Sequence, residues 1–158
     1  MKTSLVCFAF VLLFFMTSCS SSKTTPASIR EIAQKLESKN FSVEMNYAEP
    51  LRGRQIYLNS GYDLSIRNDS AFAYLPYYGV AYVAPYNSNE GGIKFAELIS
   101  GYRIVRNKKS TGWDITFKVK SPSYSYDIAM NVYDNGRVQL SFYSYERDLI
   151  RFSGELKR

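Results

Sequence analysis

Fourteen carboxylates and one dense aromatic segment are the residues of this chain whose chemistry could amount to a function. Two acids held across a sugar ring can cleave a glycosidic bond, one protonating the leaving oxygen and the other serving as nucleophile or base. The acids here do not announce such a pair. Asp63, Asp114 and Asp127 alternate with apolar residues and so belong to the polar faces of strands, Asp134 belongs to a turn, and Glu31 to a helix start. Glu44, Glu97 and Glu146 have no partner that the sequence assigns. Histidine is absent, which removes the commonest general base and metal ligand. Ser-His-Asp and Cys-His sites are excluded, and so are zinc sites built on His or Cys. Gly91-Gly92 fits no phosphate-binding loop and reads as a turn before the strand that starts at Ile93. No catalytic residue, metal ligand or cofactor is expected, and the chain reads as a non-enzyme.

The aromatic segment is Leu75-Pro76-Tyr77-Tyr78-Gly79-Val80-Ala81-Tyr82-Val83-Ala84-Pro85-Tyr86. Pro cannot donate to a central ladder, so part of the run lies at an edge or bulge. Gly79 marks a bulge or a close backbone approach. Tyrosine rings stack on sugars or peptides while their hydroxyls remain hydrogen-bonded. Tyr77, Tyr78, Tyr82 and Tyr86, with Lys94 beside them, are therefore the candidate binding residues. In the competing reading Tyr77 or Tyr78, with Tyr82, faces a core and the rest are edge residues.

These residues need a scaffold, and the pattern supplies one. Pro26 and Ser28 open a helix, Ser28 and Glu31 fit a capping box, and Ile29, Ile32, Ala33 and Leu36 form one apolar stripe. Beyond Asn40 the period is two. Phe41-Val43-Met45-Tyr47, Tyr62-Leu64-Ile66, Trp113-Ile115-Phe117-Val119, Tyr124 to Val132 and Val138-Leu140-Phe142 each alternate with polar residues. This is the signature of antiparallel strands with one wet face. The turn at Asp134-Asn135-Gly136 fixes a register. A two-residue loop would set apolar against polar rows, whereas a three-residue loop pairs Val132 with Val138, Met130 with Leu140 and Ile128 with Phe142. A one-residue slip turns a strand inside out, so the second register is expected, with Gly136 in a left-handed conformation. The same matching joins Val119 to Tyr124 and Ile104 to Trp113. The expected fold is α+β and mostly β: an N-terminal amphipathic helix on a curved antiparallel sheet or open barrel-like sandwich of about eight strands.

The first residues read as an address. Lys2 precedes an apolar run from Leu5 to Met16, shorter than the roughly 20 residues a helix needs to cross a bilayer, and small residues follow. Met16-Thr17-Ser18-Cys19 resembles a bacterial lipobox, which implies cleavage before Cys19 and lipidation of its thiol. Residues 1–18 are then a signal peptide, 19–27 a lipidated Cys and flexible tether, and 28–158 a single β-rich domain. The only other cysteine is Cys7, so no disulfide staples the fold. The formal charge of +6 comes from scattered basic residues, not a nucleic-acid footprint.

The residues 75–82, then Ala84-Pro85-Tyr86, then Gly91-Gly92-Ile93-Lys94-Phe95, resemble the signature of a family of small Gram-negative envelope lipoproteins, domain of unknown function 4251. The likeness extends through Asn135-Gly136 to the closing strand with Gly154. In the family pattern an Arg often stands where this chain has Val80. The resemblance implies an envelope lipoprotein and supplies no activity. A lipid-anchored protein of the outer membrane facing the periplasm is expected, binding a glycan, peptide or envelope protein. The alternative is a structural or accessory subunit of an envelope complex, with a glycan-acting enzyme ranked third.

Overall fold

In the computed structural model, which describes residues 24–83, 91–107, 109, 111–121 and 124–157, one helix precedes nine strands. Helix α1 spans Pro26–Glu37. Its cap is Thr25 and not Ser28: the Thr25 hydroxyl accepts from Ser28 N at 3.3 Å, and Ser28 Oγ accepts from Thr25 N at 3.1 Å. Pro26 explains the earlier start, since proline is tolerated at the first helical position and its fixed φ suits a helix. Ser28 thus fills the position the sequence pattern gave to Glu31. Glu31 instead pairs with Lys35 one turn on, at 3.0 Å.

The strands are β1 (Asn40–Pro50), β2 (Ile56–Tyr57), β3 (Asp63–Arg67), β4 (Ser70–Leu75), β5 (Ile93–Asn107), β6 (Gly112–Lys120), β7 (Ser125–Tyr133), β8 (Arg137–Tyr143) and β9 (Ile150–Leu156). Consecutive strands from β3 to β9 pair antiparallel, and β1 pairs with β3 on one side and with β9 on the other. The sheet therefore closes into an eight-stranded barrel, the closed form of the curved sheet that alternation predicts. β2 is a short extra strand on the β3 side of β1, at Tyr47 and Ala48. Closure removes both sheet edges, which open antiparallel sheets must otherwise protect.

Alternation along each strand fills the interior. Val43, Leu64, Ile66, Ile115, Phe117, Val119, Ile128, Met130, Leu140, Phe142 and Phe152 are all at most 2% exposed. An eight-stranded barrel is just wide enough for side chains to fill it, and burying each large apolar side chain contributes about 1.5–3 kcal/mol. Phe142 meets Tyr126 and Phe152 edge-to-face, at 5.7 and 5.9 Å. The seam between β1 and β9 carries a bulge between Met45 and Tyr47. Gly154 sits opposite Met45, so close that an added Cβ would fall 2.0 Å from Glu44 O.

The β7–β8 hairpin has the expected register, Val132↔Val138, Met130↔Leu140 and Ile128↔Phe142, with Gly136 at φ 83°. Two other junctions differ from expectation by two residues. Val119 pairs with Tyr126, not Tyr124, and Ile104 pairs with Ile115, not Trp113. In both cases the inward row is preserved, because a shift of two keeps every side chain on its face. Arg106 pairs with Trp113 instead; its guanidinium lies 4.2 Å from that ring and reaches both Asp134 carboxylate oxygens, at 2.6 and 3.0 Å. Those contacts extend β5 to Asn107.

The barrel has two unlike ends. At one, α1 sits with Leu36 fully buried and Ile29, Ile32 and Ala33 packed against the core. Tyr102 Oη donates to Leu36 O there at 2.8 Å. The far end carries the strand ends Pro50, Asp63, Leu75, Ile93, Lys120, Ser125, Tyr143 and Ile150, with residues 76–83 and 144–149 beside them.

Candidate functional site

β4 stops at Leu75 because Pro76 follows, and the chain then turns across the far end of the barrel. Residues 77–83 lie against the β8–β9 connection as a strap. Ala81 forms an antiparallel bridge with Arg147, Tyr82 N donates to Glu146 O at 2.8 Å, and Asp148 N donates to Val80 O at 2.9 Å. Asp148 fastens the strap a second time. One carboxylate oxygen accepts from Val80 N at 3.2 Å, and the other accepts from the Tyr82 hydroxyl. Tyr77 Oη shares its single proton between Val80 O, at 3.1 Å, and Asp148 O, at 3.0 Å. Gly79 makes this possible: a Cβ there would stand 2.7 Å from Tyr77 Oη. The close approach foreseen for Gly79 is thus to a tyrosine ring.

These bonds settle the local electrostatics. The hydrogen bond from Tyr82 holds the Asp148 carboxyl below its ordinary value and, from the other side, raises the Tyr82 hydroxyl above its own. Burial first, then the Asp148 charge, raises the Tyr77 hydroxyl. In each case the favoured form is the one that completes the bond, a neutral phenol donating to a carboxylate.

The candidate residues take different places. Tyr77 is half-buried, its hydroxyl turned to the strap's own backbone. Tyr78 and Tyr82 are 38% and 62% exposed, next to exposed Val80 and Val83. Lys94 belongs to the outer wall, its ammonium 4.8 Å from the Tyr74 ring centre, and Tyr74 in turn stacks on Tyr62 at 5.7 Å. Tyr86 and Cys19 lie outside the described residues. The aromatic segment is therefore neither wholly core nor wholly surface. One ring anchors it and the others stand out.

Sequence reasoning missed the residues beneath the strap. Arg147 is 4% exposed. Its guanidinium carbon lies 4.1 Å from the Tyr124 ring centre and 5.1 Å from that of Tyr77, and Nη1 donates to Gly92 O at 3.3 Å. Tyr126 is 3% exposed and stacks on Tyr124 at 5.8 Å. Burial pushes its hydroxyl up to about 12, although the Arg147 charge acts the other way. Tyr145, 95% exposed, stands on the rim next to them. The available signal was Arg147-Asp148, adjacent opposite charges in a short link between two apolar strands, where burial forces each to find partners.

The carboxylates are occupied in local pairs. Asp114 accepts from Asn107 and Asn131, at 2.8 and 2.7 Å, Asp127 pairs with Lys118, and Glu44 and Asp63 flank Lys157 on the outer wall. Among the described residues no three acids cluster as metal ligands.

Comparison with known proteins agrees with the fold. A DUF4251 family protein from Bacteroides eggerthii DSM 20697, solved by crystallography at 1.95 Å, matches with a TM-score of 0.63 at 16% identity, over 82% of this chain and 87% of that one. No curated protein matches. The model of the domain of unknown function DUF4251 matches residues 24–156, and the chain belongs to that family.

Proposed function

We propose that the protein is a non-enzymatic binding module of the cell envelope, lipidated at Cys19 and engaging its ligand at the far end of the barrel. The observation that carries this reading is the strap. Backbone and side-chain bonds to 146–148 hold it in place, and it presents Tyr78, Val80, Tyr82 and Val83 to solvent beside Tyr145. Fixed aromatic rings at a rim suit recognition, because little conformational entropy is lost when they are covered. The position also suits an anchored protein. Helix α1 occupies the opposite end, so a tether that enters through Thr24 leaves the strap directed away from the membrane. The ligand classes that fit exposed Tyr faces are a glycan, a peptide or a loop of an envelope protein, met in the periplasm from an outer-membrane anchor.

A thermal-shift panel of envelope glycans, peptidoglycan fragments and peptides against residues 24–158, expressed as a soluble protein, tests this. A ligand at 100 times its Kd stabilises by about 2.7 kcal/mol. A hit lost in Tyr78→Ala and Tyr82→Ala variants that keep the native melting curve supports the rim. A hit that both variants retain sinks it.

A second reading, an accessory subunit of an envelope complex, is favoured by a different surface. On the outer wall of β4 and β5, Phe72, Tyr74 and Leu98 are 38%, 50% and 73% exposed, with Arg67 over Phe72 at 5.4 Å. Contiguous exposed apolar area of this kind marks protein contacts.

A further inference from the structure

Under the strap two buried side-chain polar atoms lack partners among the described residues: Arg147 Nε and the Tyr126 hydroxyl. Buried polar groups in native proteins nearly always find a hydrogen bond, so two failures in one cluster call for an explanation. The residues do share one cluster. Tyr124 stacks on Tyr126 and also lies under the Arg147 guanidinium, and the Arg147 charge acts on the Tyr126 hydroxyl. Neither residue is partly in solvent, at 4% and 3% exposure, so bulk water does not supply the missing bonds.

The charge is the stronger clue. A buried cation is costly unless paired, yet among the described residues no carboxylate lies within ion-pair distance of Arg147. Asp148, its neighbour, is used by Tyr82 and Val80. Glu146 is near enough for its charge to act on the Tyr126 hydroxyl, and its carboxylate is engaged by Ser144 Oγ. Arg147 is left with two aromatic faces and one carbonyl, which hold a guanidinium in place without neutralising it. A buried water would satisfy the two donors but would not offset the charge. An oxyanion does both, accepting from Nε–H and from the phenol with charge-assisted bonds.

We propose that Arg147 and Tyr126 recognise a single oxyanion, a carboxylate or a phosphate, carried by the ligand of the far end. The inference rests on the rim reading and narrows it: the exposed tyrosines take the apolar or sugar part, and the acid group descends past the strap to the guanidinium. Because the donors are buried, entry requires the strap to lift briefly from 146–148 and reseat over the bound acid group, which restores the rim.

The test uses the purified protein at constant ionic strength set by chloride. Inorganic phosphate, acetate and D-glucuronate are titrated, with D-glucose as the neutral control, while the Arg147 Nε–H resonance and the melting temperature are followed. A saturable shift with phosphate alone, or with acetate and glucuronate alone, assigns the anion class. Either supports the proposal if Arg147→Lys weakens binding roughly tenfold or more, as expected for loss of a charge-assisted bond. Tyr126→Phe, which keeps the ring and the fold, should weaken it severalfold. No saturable shift with any anion, with Nε–H in contact with a buried water instead, overturns the proposal. Equal affinity in wild type and Tyr126→Phe overturns it as well. The rim reading fails separately, by the tyrosine variants, and a neutral ligand that binds the rim but ignores Arg147→Lys would leave the rim standing and this inference refuted.

Discussion

Replacing Gly79 with alanine should detach the strap while leaving the barrel closed. The added methyl would stand 2.7 Å from Tyr77 Oη and 2.9 Å from Cζ, and 3.3 Å from Asp148 Cβ. A free tyrosine tip could swing aside at little cost. This one is held by its proton to Val80 O and Asp148 O, and its face carries the Arg147 guanidinium. Relief of the clash therefore loses about one hydrogen bond, worth about 1 kcal/mol, and part of a cation–π contact worth about 0.5–2 kcal/mol. The sum, roughly 2 kcal/mol, falls within the usual cost of overpacking. The loss is local, since the strap's hydrogen bonds to the rest of the fold run to 146–148 and it could open as its own unit. Hydrogen exchange reads this directly. The Tyr82 and Asp148 amides, which bond across the strap, should exchange roughly 30-fold faster, since each 1.4 kcal/mol is tenfold in an equilibrium constant. The Met130 and Leu140 amides in the β7–β8 ladder should be unchanged. Uniform acceleration through the ladder, or no change at Tyr82, would refute the argument that the strap is a separate unit pinned by Tyr77.

Other perturbations separate the seam, the core and the strap. Gly154→Ala puts a methyl 2.0 Å from the Glu44 carbonyl and 2.9 Å from Met45 Cα, both backbone. Because backbone cannot rotate away, urea unfolding should show a loss of about 3 kcal/mol or more, and a loss under 1 kcal/mol would contradict the β1–β9 packing. Tyr126 and Tyr102 have hydroxyls pushed up to about 12 by burial. Their stabilisation is complete below pH 10, where the unfolded phenols are neutral, and is lost as pH rises from 10 through about 12. Tyr126→Phe should flatten that alkaline limb of a stability–pH profile, and an unchanged slope would count against its burial. Asp148 has the opposite sign. Its lowered pKa stabilises above the ordinary carboxyl value and is lost as pH falls through the lower, folded one, so the protection of the Tyr82 amide, relative to its intrinsic exchange at each pH, should fall below about pH 4 and lose that fall in Asp148→Asn.

How much of this could be read in the sequence depends on how each feature is encoded. Period-two alternation is local and redundant, so the barrel wall and the β7–β8 register were legible from side chains within a few residues of Gly136. At Val119 and Ile104 the same pattern left a two-residue ambiguity, because inward rows match equally well at either pairing. At the Ile104 junction Arg106 sits opposite Trp113 and reaches Asp134 in the β7–β8 turn, a contact that no local pattern encodes; nothing in the structure singles out a cause at Val119. The helix cap moved to Thr25 for a similar reason: Thr25 and Ser28 both suit the role, and the proline between them selects the first. Closure of the sheet was not legible at all, since it depends on β1 meeting β9 from the far end of the chain. The candidate site divides along the same line. The Tyr77–Tyr82 segment stood out by composition, whereas Arg147, Tyr124 and Tyr126 look ordinary in sequence and gather only once the barrel has formed.

That closure has a kinetic side. Val43 and Met45 wait on Leu156 and Gly154, so the seam cannot form until β9 has been synthesised. Hairpins from β3 to β9 can zip in order, each closing a short loop at low entropic cost, but the last pairing closes the longest loop in the molecule. Contacts of such sequence separation slow folding, placing barrels of this kind in the millisecond-to-second range. Throughout that interval β1 and β9 are open strand edges that other chains can join. The closed ring that leaves β1 and β9 no free edge thus makes the folding form depend on β9, and a chain lacking β9 would be left as a sheet with two open sides.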